Sequence, residues 1–155
     1  MASLKATTLA LLNADTALVT IFTGGFFDAD GLPNNGLTFD TISKEANGVT
    51  IKPTGVLRWR ARNPVRGPNY AVRRFVEIYL YDDPVHGREN IDYAMRRIFE
   101  LLHQKYISGT SNEGFAYFVW AGDMDEMPND DKDDVLMANM GRSRYQVDMT
   151  RKPIS

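Results

Sequence analysis

Apolar and polar positions along this chain switch between two periods, and each switch predicts an element. From Val72 to Tyr81 they alternate. Val72, Val76, Ile78 and Leu80 share one face with Arg74, while Arg73, Phe75, Glu77, Tyr79 and Tyr81 share the other. A period of two is that of a strand, and the second face is amphipathic rather than simply wet. Asp82-Asp83-Pro84 ends it. From Glu89 to Ile107 the apolar positions Ile91, Ala94, Met95, Ile98, Leu101, Leu102 and Tyr106 recur at three- and four-residue steps, which predicts an amphipathic helix closed by Ser108-Gly109. At 1.5 Å per residue it is about 28 Å long. Ile98 and Leu102 should lie buried against the even-numbered face of Val72 to Leu80.

The flanks are read in the same way. Ser3 is placed to cap a helix from Leu4 to about Asn13, and Asp15 a second short one from Thr16 to Phe22, stopped by Gly24-Gly25. Phe26 to Gly48 is rich in turn signals and reads as irregular. Val49 to Arg60 alternates in two pieces broken by Pro53 and Gly55, with Asn47-Gly48 or Thr54-Gly55 as a hairpin turn. Leu57 to Arg60 reads as a strand end with its arginines on one face. Asn63-Pro64 to Pro68-Asn69 is a clear break, a mobile arm or a long hairpin tip. Phe115 to Ala121 is a dense aromatic strand. Val135 to Met140 reads as a short helix closed by Gly141, and Arg144 to Met149 as a last strand. The fold class is therefore α+β: four or more strands, mostly antiparallel, with a long helix and an N-terminal helix packed on one face.

At 155 residues the chain reads as a single domain, 1–155, long enough to bury a core without staples. It has no cysteine, which excludes disulfides, thiolate metal sites and cysteine nucleophiles. No leader-like segment and no membrane-length apolar run is visible, so a soluble protein made inside the cell is expected. Phosphate-loop, dinucleotide-binding, HExxH and GxSxG sequences are all missing. His86 and His103 are the two histidines, and neither has a nucleophile at recognisable spacing. Asp123-Met124-Asp125 begins like a calcium loop, but Met127 and Pro128 break the ligand pattern. No enzyme, cofactor or metal site is expected.

Charge changes the picture. Leu57 to Arg74 holds six arginines (58, 60, 62, 66, 73 and 74) and no acid, whereas Asp123 to Asp134 holds seven acids against Lys132. The overall net charge of −2 hides this segregation. Both arms, at about 61–70 and 123–134, combine like charges and turn residues with few apolar anchors, so each is expected to be mobile. Matching opposite patches suit a chain that docks on copies of itself. The candidate interface is Arg58, Arg60, Arg62 and Arg66 against Asp130, Asp131, Asp133 and Asp134. The same arginines, with Trp59 and Tyr70 nearby, would also suit a nucleic-acid backbone, and the plain alternative is two solvated runs.

The layout resembles the tail terminator (tail completion) proteins of long-tailed bacteriophages and their minor-tail relatives. The segments that carry the likeness are Leu11 to Val19, the Val72-to-Tyr81 strand followed by the helix within Gly87 to Leu102, and the strands Phe115–Trp120 and Arg144–Met149. Phe26 to Lys52 and the acidic arm match nothing in that family. The resemblance implies a curved sheet with helices on one face, and subunits that form a ring, usually six-fold. Such a ring caps the tail tube, stops its elongation and presents a surface to the head connector. It further implies a structural role in the virion at the head–tail interface, reached from the host cytoplasm during assembly. The implied partners are other copies of the chain, the tail tube protein, a connector or neck protein and DNA passing through the lumen, with no membrane. The alternatives are another neck, tube or baseplate-hub component, or a nucleic-acid-binding module using the Arg58-to-Arg74 arm.

Overall fold

A computed structural model describes residues 3–32, 36–60, 63–64, 71–108, 115–123, 132–133 and 138–150. Helix α1 (Leu4–Ala14) starts where Ser3 Oγ accepts a hydrogen bond from the Ala6 amide at 3.1 Å. Asp15 then serves two helices. It closes α1, and its carboxylate accepts from the Leu18 amide to open α2 (Thr16–Ile21). Each cap satisfies an amide that the helix itself leaves orphaned. After the Gly24-Gly25 turn comes a short strand, β1 (Phe26–Asp28).

The remaining strands are β2 (Thr54–Trp59), β3 (Asn63–Pro64), β4 (Ala71–Asp82), β5 (Lys105–Ser108), β6 (Phe115–Asp123), β7 (Lys132–Asp133) and β8 (Ala138–Thr150), with helix α3 (Glu89–Leu102) between β4 and β5. They form one mixed sheet in the order β1-β2-β4-β8-β6-β5, with β3 also paired to β4 and β7 to β8. Every pair is antiparallel except β1–β2, which runs parallel. The class is α+β. Among the described residues no helix is long and apolar enough to cross a membrane.

Alternation on β4 decides the two faces. Val76, Ile78 and Leu80 have no exposed surface and share a core with Ile91, Ile98 and Leu102 of α3, and with Leu4, Leu12 and Leu18 of the N-terminal helices. Arg97 of α3 ties these helices together, donating from Nη2 and Nε to the Asp15 carboxylate at 2.6 and 3.0 Å. Those bonds hold Asp15 below the usual carboxylate range. Near the end of α1, the Asn13 amide faces the outer side of β1: Nδ2 donates to Phe26 O at 3.1 Å and Oδ1 accepts from Phe26 N at 2.9 Å.

Several elements differ from the sequence reading, each for a physical reason. The long helix stops at Leu102 rather than Ile107, which makes it about 21 Å long. Gln104 turns left-handed at φ 56, and Lys105–Ser108 leaves as an edge strand on β6, so Tyr106 is 73% exposed instead of lining the core. Of the short helix expected over Val135–Met140, residues 135–137 lie outside the described residues, and Ala138–Met140 is strand, because Asn139, Met140 and Gly141 pair with Asp82, Tyr81 and Leu80 of β4. Gly55 lies inside β2, not in a turn. A Cβ there would stand 2.3 Å from the Phe26 ring, so the glycine admits close packing rather than a bend. The Asn47-Gly48 turn does form, with Asn47 Oδ1 accepting from the Val49 and Thr50 amides and a bridge between Lys44 and Ile51.

The stretch read as irregular, 26–48, supplies β1 and much of a second core. Ala29, Ile42 and Ile51 pack with Val56, Tyr81 and Ala138 on the face opposite the helices. Among the described residues this flap covers one end of that face.

Candidate functional site

Beyond the flap, sheet order gathers side chains that are far apart in sequence. Cross-strand partners on adjacent strands point to the same side of a sheet. Arg58 of β2 stands opposite Glu77 of β4, which stands opposite Arg144 of β8. Tyr79 stands opposite Arg142, and Arg73 opposite Asp148, which in turn faces Tyr117 of β6 and Tyr106 of β5. Arg60, just past β2, joins this face through Glu77. Among the described residues the patch carries Arg58, Arg60, Arg73, Arg142 and Arg144 against Glu77 and Asp148, a surplus of three positive charges.

The two carboxylates are already held. Arg60 donates to Glu77 through Nε at 3.2 Å and Nη2 at 2.8 Å, and the Tyr79 hydroxyl adds a bond at 2.7 Å. Burial alone would raise the Glu77 pKa, but the bonds from Arg60 and Tyr79 outweigh it and hold the carboxyl below its ordinary value. The same pairing raises Arg60. Arg73 donates from Nε to Asp148 at 2.8 Å, which raises Arg73 as well.

The other three arginines lie on rings. Arg58 and Arg142 each sit 5.5 Å from the Tyr79 centroid, and Arg144 sits 3.9 Å from the Phe75 centroid. The Nε atoms of Arg142 and Arg144 are buried without an acceptor. Arg142 reaches the Tyr79 hydroxyl through Nη1 at 3.4 Å. At the edge of the same face the Tyr106 and Tyr117 rings meet at 4.7 Å.

Of the residues expected at an interface, the structure brings Arg58 and Arg60 to this patch. Arg60 is engaged within the chain by Glu77. Asp133 lies on β7, paired with Ala138. Arg62, Arg66, Asp130, Asp131 and Asp134 lie outside the described residues, as do most of the two arms expected to be mobile. Sequence reasoning missed Arg142 and Arg144 as site residues. Their signal was the alternation of β8, which sets Arg142, Arg144 and Gln146 opposite buried Ser143, Tyr145 and Val147.

Two further places stand out. On the helix side, α3 and β6 frame an open groove of ≈ 450 Å³ lined by Met95, Arg96, Phe99, Glu100, Trp120 and Asp123. His103 Nδ1 there accepts from the Trp120 amide at 3.1 Å, which fixes the ring as a structural acceptor. At the end of β4, His86 Nδ1 lies 2.7 Å from Asp82 Oδ1, and its Nε2 lies 3.5 Å from Glu45 of the flap. The bond to Asp82 raises the His86 pKa. Asp82 is fully buried and also accepts from the Asp83 amide and Asn90 Nδ2, so this cluster latches the flap to the sheet. Among the described residues no cluster of acidic and histidine side chains is placed to hold a metal. Neither a protein-family model nor a curated protein matches this chain.

Proposed function

We propose that this chain is a structural subunit of a long-tailed bacteriophage virion that joins copies of itself head-to-tail into a ring. The observation that carries the reading is where the sheet puts the ends of the two charged arms. Asn63–Pro64, inside the arginine-rich arm, pairs with Arg73 and Val72 at the start of β4. Lys132–Asp133, inside the acidic arm, pairs with Asn139 and Ala138, and Asn139 faces Asp82 at the other end of β4. Val72 and Asp82 are ten residues apart on one strand, about 33 Å at 3.3 Å per residue. Opposite charges at opposite ends favour contact between different copies. Such a contact is heterologous, and it closes as a ring when the rotation permits.

The sheet with helices against one face agrees with the fold that the terminator resemblance implies. In this reading the ring is a hexamer that caps the tail tube, stops its elongation and meets a connector or neck protein, with DNA passing through its lumen. It acts in the virion and assembles in the host cytoplasm, without catalysis. Arg58, Arg62 and Arg66 would meet Asp130, Asp131, Asp133 and Asp134 of the neighbour, while Arg60 stays with its own Glu77. Exposed ion pairs contribute only about 0–1 kcal/mol each, so the interface depends on their repetition around the ring.

The mass in solution tests this. A hexamer that dissociates as salt rises is expected, with reversal of Arg58, Arg62 and Arg66 to glutamate blocking assembly and lysine at the opposing acids partly restoring it. A monomer at all concentrations would sink the ring. Particles lacking the gene should show overlong or headless tails. Missing tails would instead indicate a tube or baseplate-hub component.

A further inference from the structure

We infer that the half of the helix-free sheet face beyond the flap is a binding surface for single-stranded nucleic acid, with Arg142 and Arg144 on the phosphates and Tyr106 on the bases. The inference stands apart from the ring, since it rests on side chains within one subunit. Glu77 and Asp148 are each held by an arginine of their own, Arg60 and Arg73, which leaves the positive surplus on Arg142 and Arg144 in place. Arg144 stacks on Phe75 with its Nε buried and without an acceptor, and Arg142 lies on Tyr79 in the same condition. A guanidinium held against a ring has given up part of its rotamer freedom, and its N–H donors are of the kind that phosphate oxygens accept.

Spacing points the same way. Arg142 and Arg144 are two residues apart on β8, so they project from one face about 6.8 Å apart. That separation is close to the step between neighbouring phosphates on an extended strand. On the same face Tyr106, 73% exposed, leans on Tyr117 and leaves a ring open to solvent. Stacking on such rings is tolerant of sequence and requires unpaired bases. An acidic peptide would satisfy the guanidiniums but would bring no ring for Tyr106. A duplex would keep its bases out of reach.

Fluorescence anisotropy with a labelled oligothymidine, a duplex of equal length and polyglutamate tests the assignment. The oligothymidine should bind the full chain with an affinity that falls steeply with salt. Arg142→Gln with Arg144→Gln should reduce the magnitude of the log–log salt slope by roughly 1.4, the value for two fewer phosphates neutralised on a single strand. Tyr106→Ala should weaken binding by about tenfold without changing that slope. Circular dichroism and thermal melting confirm that the variants fold, and Tyr106→Ala, at an exposed edge, keeps the test valid if the arginine pair does not. No binding at low salt, or binding indifferent to these substitutions, would overturn the inference. So would a duplex or polyglutamate that binds as tightly as the oligothymidine, since either would make the patch a general polyanion surface.

Discussion

The two faces of one sheet are ordered by different means. Toward the helices, Val76, Ile78 and Leu80 are sealed by side chains chosen for volume. One residue away on the same strand, Phe75, Glu77 and Tyr79 hold arginines by charge and ring geometry. Burial of volume contributes stability at close range and fails when a methylene is removed. Charge pairing near solvent contributes little stability and leaves donors available to a partner. The helix face therefore carries the larger buried core, while the patch beyond the flap is held by ion pairs and rings.

The largest break in that comparison is expected from Leu102→Ala. Leu102 has no exposed surface, so truncation should cost about 2–5 kcal/mol in urea denaturation. Arg142→Gln on the other face should stay within roughly 0.5 kcal/mol of the parent, and equal costs for the two would erase the distinction.

Gly141→Ala comes next. It sits on β8, where a new Cβ would stand 2.5 Å from Ile91 Cγ2 and 3.2 Å from Met95 Cε. Overpacking of this kind costs about 1–3 kcal/mol. A variant as stable as the parent would show that α3 can shift on the sheet.

Glu77→Gln tests the polar side. Its loss should be about 1 kcal/mol, because Arg60 is 48% exposed and water screens much of the pair. A loss as large as that of Leu102→Ala would mean that the charge network, and not only the core, sets the fold.

His86 gives the smallest effect. Its pKa is raised above the ordinary 6.5 by the hydrogen bond to Asp82, so the protonated ring favours the folded state. That contribution is whole below 6.5 and is lost as pH rises through the higher folded value. As pH is raised across this window, the melting temperature of the parent should fall relative to that of His86→Gln. Parallel profiles for the two would remove the latch from the account.

What could be read from sequence follows the same division. Helix caps at Ser3 and Asp15, the α3 stripe and the β4 alternation are local signals, and the structure contains each of them. The flap was invisible because Ala29 and Ile42 reach the core from turn-rich chain with no period to betray them. Gly55 and Gly141 read as punctuation, yet both make room for Phe26 and Ile91 from other elements. The arginine patch was half visible. Arg58 and Arg60 stood out in a cluster, but Arg142 and Arg144 join them only because β8 lies beside β4, an adjacency that chain order does not state.

Asn13 has a consequence for how copies of this chain can stack. Its amide answers both the N–H and the C=O of Phe26, so the β1 border begins with a side chain in the role of a neighbouring strand. An unguarded border is a template for another molecule. Here a single side chain occupies that template at Phe26, so a strand arriving at the start of β1 would first have to displace the Asn13 amide.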